Sequence, residues 1–460
     1  MPTYSSERFY HDWRFDIEKD FIDAEGNPFK YAENGKQSWG DELHKLEFDS
    51  TPAKATVSYD GKRLAVAAGH EVHIVEIDDF ERQTRQILKV HTSNVDVVAF
   101  QPGNSDLLVS LQSYPELSPG DTQAVCHYAA DQIVAKLTEI NQAYSLNDEE
   151  RQFLSKTIGP NLDLSIARHL VADNFQLSGR LTGSFQSEIF NCSGNKLIYL
   201  PGKRPRSNDV DTWDINAFST EKKKDVFTLS GHTDAVMWVG FSSDDKLIGT
   251  VAWDRTMRTW DATNGNCKFT FETTGTTGNG SLHVYLLDDG TEVLCQTFGN
   301  DWSRAISWSP AASQNLLAVG GRGCGIISLL DIDEKRVLQQ RVLSTAKSVG
   351  DPTQRFLARY VAVQTLKFVD QGRKLAFFTT GDGSAEVYDL EHEQKWRFAR
   401  EGTDPDSASE TTSKGGSGVV IWEDRNKGRL MLGSVDFDAL RIWSVPLDKR
   451  VKDEGEWEVV

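Results

Sequence analysis

Along most of this chain, short apolar runs alternate with short polar runs rich in Gly, Asp, Asn and Ser, the pattern of β-strands joined by tight turns. The clearest unit spans residues 230–271. Its apolar stretches VMWVGF, LIGTVAW, MRTWDA and KFTF are separated by SSDDK, DRT and TNGN, which predicts a four-stranded antiparallel sheet. The same opening of two strands recurs at KATVSYDGKRLAVAAG from Lys54, VDVVAFQPGNSDLLVSL from Val95, FQSEIFNCSGNKLIYL from Phe185 and SLHVYLLDDGTEVLCQTF from Ser281. It returns at RAISWSPAASQNLLAVGG from Arg304, VQTLKFVDQGRKLAFFTT from Val363 and GVVIWEDRNKGRLMLGSV from Gly418. With the complete unit this makes eight modules, numbered 1 to 8 in chain order. A lone sheet of this kind cannot bury both of its faces, so repeated sheets must stack on one another. Module 5 is short: only 23 residues, 281–303, precede the opening of module 6, too few for four strands.

In the complete unit, Gly231-His232, an Asp in a tight turn at Asp254 and the dipeptide Trp260-Asp261 resemble a full repeat of the WD-repeat β-propeller family. Third strands ending in a similar dipeptide or its substitute follow several other modules, as in HIVEID from His73, DTWDIN from Asp211, IISLLDI from Ile326, AEVYDL from Ala385 and LRIWSV from Leu440. The resemblance implies an all-β propeller of seven or eight blades over residues 46–447. It also implies that the last blade takes its fourth strand from the N-terminal segment 1–45, through a run such as LHKLEF from Leu43. In the family, His232, Thr250, Asp254 and Trp260 would form a structural hydrogen-bond chain, although a Thr, a His and an Asp together also imitate a nucleophile triad. Family members use one rim for recognition. The matching rim positions here are Ala235 and Met237, Asn94 and Asp96, Gln186, Trp302 and Arg304, and Gln364.

One stretch interrupts the repeats. The first two modules take up 46–112 and the later ones 183–447, which leaves 113–182 as an insertion. Within residues 122–144, Val125, Ala129, Ile133, Leu137 and Ile140 fall on one face at helical spacing. Asn147 with Glu150 forms a capping-box signature for a second helix that Gly159-Pro160 ends, and a third helix fits residues 162–175. Such helices either pack on the propeller or dock a partner. Residues 401–418 read as a mobile loop in which Ser407, Ser409, Thr411 and Thr412 are phosphorylation candidates, and 448–460 as a tail. The stretch from Met1 to Gly40 places aromatics among acids, which suits wrapping the ring as well as binding a partner.

Composition narrows the function classes. Lys plus Arg number 50 against 68 Asp plus Glu, a net charge of −18 that disfavours direct contact with nucleic acid or an anionic membrane. The five cysteines lie far apart with no CxxC, which points to a reducing, intracellular setting, cytoplasmic or nuclear. Local basic clusters at Lys203, Arg204 and Arg206 and at Lys222–Lys224 read as solvated loops or as import or acidic-partner signals. No metal-ligand spacing surrounds His127 or His169. GGRGCG from Gly320 joins two predicted strands with no following helix, so a β-turn is expected there rather than a phosphate cradle. No cofactor is expected. The expectation is a non-enzymatic scaffold for protein or peptide partners, of open oligomeric state. The alternatives are a ubiquitin-ligase substrate receptor, a peptide reader and a propeller-based hydrolase. Against the ligase receptor, the Arg or Lys that family members carry two residues after the WD dipeptide is here Thr263.

Overall fold

The polar runs close the hairpins by one repeated chemistry. In module 1 the Ser58 hydroxyl donates to Asp60 at 2.7 Å, and in module 4 the Ser242 hydroxyl donates to Asp244 at 2.7 Å. Each carboxylate also accepts the backbone N–H two residues on, at 3.2 Å in both turns, and the chain then passes through the left-handed region at Gly61 (φ 70°) or Asp245 (φ 58°). Strands and turns alternate along the described residues. The computed structural model describes residues 20–80, 85–88, 91, 94–112, 123–128, 161–162, 176–181, 189–201, 213–272, 281–287, 289–298, 302–311, 315–322, 325–344, 362–379, 384–399, 418–424, 426–435 and 439–447. These residues form β-strands with two short 3-10 turns and no α-helix.

Seven hydrogen-bonded sheets carry the eight modules. Module 4 is a plain four-stranded antiparallel sheet, Val236–Phe241, Leu247–Ala252, Thr256–Asp261 and Cys267–Glu272. Module 5 has two strands among the described residues, Ser281–Tyr285 and Glu292–Thr297. Modules 2 and 3 share one seven-stranded sheet, because Gln176–Leu181 pairs with Lys196–Pro201 of module 3.

Apolar clusters lie between successive modules, and following them closes a ring. Ala65 and Ala67 of module 1 meet Val95 and Val98 of module 2, Val97 meets Leu197 of module 3, and Ile198 meets Val239 and Trp260 of module 4. Phe271 packs against Tyr285 of module 5 with ring centroids 4.4 Å apart. Leu294 then packs with Leu330 of module 6, Ala318 with Phe377 of module 7, Val387 with Leu432 of module 8, and Leu440 with Leu64 of module 1. The eighth interface returns to the first module. The molecule is therefore an all-β propeller.

Three readings of the sequence are corrected. Gln123–Tyr128, expected to open a helix, is instead a strand paired antiparallel with Asn104–Gln112. It fills the third-strand place of module 2, and Gln176–Leu181 fills the fourth, so both outer strands lie within the stretch read as insertion and only residues 129–175 fall between them. The helical spacing of Val125 and Ala129 lost to an open ladder of backbone donors and acceptors on the second strand. Likewise Asn161–Leu162, at the start of the third expected helix, pairs parallel with Ile87 and Leu88. The expected helices elsewhere in 129–160 and 163–175, and the segments 202–212, 401–417 and 448–460, lie outside the described residues; Gly418, read as the end of the loop, begins a strand. Finally, the dipeptide Trp213-Asp214 precedes its strand, Ile215–Ser219, rather than ending it. Phe218, opposite Leu197, takes the place that Trp260 takes opposite Ile248.

The N-terminal segment runs around the outside of the ring. Phe21–Ile22 pairs with the outer strand of module 6, Lys30–Ser38 runs parallel to the outer strand of module 7, and His44–Glu47 pairs antiparallel with Ala439–Pro446 as the fourth strand of module 8. Each of these modules offers the segment one cation, and the segment answers with aromatic rings and acids. The Arg341 guanidinium lies 3.7 Å from the Phe29 ring centre. The Lys395 ammonium lies 4.6 Å from that of Tyr31 and bonds Asp20, and Arg441 lies 4.5 Å from that of Trp39 and bonds Glu42. This is the packing of aromatics that stand among acids in the sequence.

Candidate functional site

Module 4 holds a continuous polar chain. The Trp260 indole N–H donates to Thr250 Oγ1 at 2.9 Å, Thr250 Oγ1 lies 2.7 Å from His232 Nε2, and His232 Nδ1 lies 2.8 Å from Asp254 Oδ2. With the imidazole neutral and protonated on Nδ1, every group has a partner: the hydroxyl donates to Nε2, and Nδ1–H donates to the carboxylate. Asp254 also accepts the backbone N–H groups of Thr233 and Thr256. Burial pushes the Asp254 carboxyl up, but the donors of Thr256, Thr233 and His232 outweigh it and hold its pKa at about 2. Thr250 is fully buried. Its hydroxyl is committed inside the blade, so this constellation ties the third strand to the turns and offers no accessible nucleophile.

A half-copy of the chain sits in module 2, where His91 Nε2 lies 2.7 Å from Ser110 Oγ and both residues are buried. Sequence reasoning missed this pair. The signal was present: VHTSNV at residues 90–95 parallels GHTDAV at residues 231–236, and the Ser lies 19 residues after its His where Thr250 lies 18 after His232. In module 8 the corresponding Ser434 and Trp443 are buried, yet the Ser hydroxyl and the indole N–H have no partner among the described residues.

Burial holds the His232 imidazole below its ordinary value of 6.5, against the opposing pull of Asp254. The unfolded chain takes up this proton near that pH and the folded chain only at lower pH, so the contribution is complete above 6.5 and shrinks as the pH falls below it. Replacing His232 with Asn is expected to flatten the loss of stability on acidification below pH 6.5, read by urea unfolding at each pH. Parallel curves for the two proteins would remove this account.

The rim positions have a common geometry. The register shifts by one residue near the start of the first strand in modules 1, 2, 4, 6 and 7, leaving Ala53, Asp96, Met237, Arg304 and Gln364 out of their ladders. Each is a β-bulge, which bends the strand and re-aims one residue. Asn94 is exposed just before the first strand of module 2, Met237 and Gln364 are half-buried, and Ala235 is buried. Trp302 and Arg304 are placed by their backbone on the first strand of module 6; Gln186 lies outside the described residues.

First strands begin, and second strands end, at the same rim because the two are antiparallel. That rim therefore also carries Trp253, 64% exposed beside Asp254, which the sequence reading did not single out. A recess of about 410 Å³ opens there between the loops of modules 8, 1 and 2, lined by Asp49, Ser50, Thr51, His70 and Asn94 among others. His283, Glu292 and Cys295 stand together on module 5 with their ligand atoms within 4.8 Å of one another. There the imidazole is already bonded to Glu292 at 2.6 Å and to Ser281 at 2.9 Å.

Residues 223–261 match the family model of the WD domain, G-beta repeat. The chain thus carries a WD repeat within a ring of β-sheets. Over 114 residues it is 32% identical to THO complex subunit 3 of Arabidopsis thaliana; the match takes in 23% of this chain and 31% of that protein, so the chain spans about a third of the relative's length. The crystal structure of Saccharomyces cerevisiae Sqt1 is similar with a TM-score of 0.55 and 11% sequence identity, over 88% of this chain and 99% of Sqt1, a likeness of fold.

Proposed function

We propose that this protein is a non-enzymatic interaction scaffold, intracellular, that presents the bulged rim of its propeller to protein or peptide partners. The observation that carries this reading is the bulge repeated at one place in five modules, which sets re-aimed residues around a single rim. An exposed Trp at that rim suits a binding hot spot, and Trp253 is such a residue. A relative named as a subunit of a complex supports the same class of role. The segment between the outer strands of module 2, residues 129–175, is the second docking element in this reading. The hydrolase alternative draws no support from Thr250, whose hydroxyl is enclosed. No helix among the described residues is long and apolar enough to cross a membrane.

The test compares quantitative affinity capture by the intact chain, by the combined variant Trp253→Ala, Asn94→Ala and Gln364→Ala, and by a chain with residues 129–175 replaced by a Gly/Ser linker. Loss of a stoichiometric partner by at least about tenfold in the rim variant is expected, while Trp253→Ala alone changes the unfolding free energy in urea by no more than about 0.5 kcal/mol. Equal capture by the intact and rim-variant proteins would overturn the reading of the rim.

A further inference from the structure

The face of module 5 turned toward module 4 carries a cluster that neither the polar chain of module 4 nor the rim uses. Ser281–Tyr285 and Glu292–Thr297 pair antiparallel, with His283 directly opposite Cys295 and Val284 opposite Leu294. Leu282 and Leu294 pack toward module 6, so His283, Tyr285 and Cys295 stand on the other face, where Tyr285 meets Phe271 of module 4. Glu292, two residues before Leu294, would share the face of Leu294 in a regular strand. Instead the register shifts between Val284 and Tyr285, Val293 drops out of the ladder, and Glu292 comes opposite Tyr285 on the face of His283 and Cys295. One bulge thus gathers an imidazole, a carboxylate and a thiol whose ligand atoms lie within 4.8 Å of one another. No spacing along the chain announces them, because the three meet across a ladder.

The chemistry of the three suits a divalent transition cation. Imidazole nitrogen, thiolate sulfur and carboxylate oxygen are the ligands zinc takes, at about 2.0–2.3 Å, and three protein ligands leave the fourth tetrahedral position to water. Ligands so placed stand roughly 3.3–3.8 Å apart, so the widest pair must close by at most about 1.5 Å. Glu292 has room for that movement, since its side chain is 41% exposed, and Cys295 is an exposed free thiol. The imidazole is held from both sides: Nδ1 lies 2.6 Å from Glu292 Oε1, and Nε2 lies 2.9 Å from Ser281 Oγ. A metal-bound histidine uses one ring nitrogen for the ion and gives the other N–H to such a partner, which fixes the ring. Among the described residues this is the one group of three His, Cys, Asp or Glu side chains gathered so closely.

We propose that His283, Glu292 and Cys295 bind a zinc ion that staples the two strands of module 5. The ion takes the place of the proton between Nδ1 and Glu292; that proton moves to Nε2, where Ser281 Oγ accepts it, and the Cys295 thiol gives one proton to solvent. Two strands alone make a marginal hairpin, and a ligand set drawn from both adds its binding energy to the folding of that hairpin. The site lies in mid-ladder, apart from the rim, and does not depend on the rim reading. Cobalt(II) and zinc titrations of the metal-stripped full chain test it, beside Cys295→Ser, Glu292→Gln and Ser281→Ala, with circular dichroism to verify folding. The expected result is one equivalent of cobalt with a near-ultraviolet thiolate-to-cobalt band and the visible bands of a tetrahedral ion, displaced by one equivalent of zinc. Cys295→Ser should abolish the thiolate band and weaken zinc binding at least about 100-fold, and Glu292→Gln and Ser281→Ala should each weaken it at least about tenfold. Zinc should also slow hydrogen exchange over 281–297 at least about tenfold in the intact chain and not in Cys295→Ser. No uptake at one equivalent, or equal affinity in the intact and variant chains, would overturn the proposal. So would a thiolate band that persists in Cys295→Ser, by assigning the ion to another cysteine, and so would alkylation of Cys295 that zinc does not slow, by leaving a bare reactive thiol.

Discussion

Replacing Trp260 with Ala is expected to destabilise the propeller by about 3–5 kcal/mol, the range for deleting a large, fully buried aromatic side chain. Trp260 is 1% exposed and packs with Ile198 and Val239 where modules 3 and 4 meet. Its loss opens a cavity between two blades and removes the indole donor from Thr250. A urea unfolding series measures the effect. Trp253→Ala, on the exposed Trp seven residues earlier, serves as control and should shift stability by less than about 0.5 kcal/mol. A loss below about 1.5 kcal/mol for Trp260→Ala would mean that the interface between modules 3 and 4 does not depend on this residue.

Lys374→Met should cost a similar amount, about 3–5 kcal/mol, because it leaves buried charge without its partner. The Lys374 ammonium is enclosed in module 7, 2.9 Å from Asp370 and 3.3 Å from Asp389, and both carboxylates are themselves almost fully buried. Burial pushes both carboxyls up. Lys374 and Arg373 outweigh it at Asp370, the His392 backbone N–H and side chain with Lys374 outweigh it at Asp389, and both end below the ordinary carboxylate range. With the ammonium gone, those carboxyls take up protons more readily in the folded chain. The penalty should therefore shrink as the pH is lowered from 7 toward the carboxylate range, which urea unfolding at several pH values reads directly. Lys246→Met, on the exposed pair with Asp244, is the control and should change stability little at any of these pH values. A penalty for Lys374→Met that is small or independent of pH would count against a buried ionised cluster.

Much of this molecule was legible in the chain because it is encoded over a few residues. Turn runs such as SYDGK and SSDDK carry their own side-chain hydrogen bonds, so hairpins can be placed from the sequence. The spacing of His232, Thr250, Asp254 and Trp260 names a polar chain that the folded blade holds within 2.7–2.9 Å. Counting from His232 along the first strand leads to Met237, which the ladder skips. The aromatic and acidic character of the N-terminal segment suited wrapping the ring and binding a partner equally and did not choose between them.

What the sequence could not decide is which open edge each strand would find. Gln123–Tyr128 has a pattern compatible with a helix face, and only the unpaired edge of Asn104–Gln112, brought beside it by the blade, makes it a strand. Trp213-Asp214 reads as the end of a third strand until the register with Lys196–Pro201 puts Phe218 in that place. Phe29, Tyr31 and Trp39 find Arg341, Lys395 and Arg441 from the opposite end of the chain. Periodicity, turns and spacing are properties of neighbouring residues, so the repeats and the polar chain of module 4 can be read from the chain alone. Strand pairing and charge burial depend on which surfaces the closed ring leaves open, and these exist only once the modules have stacked.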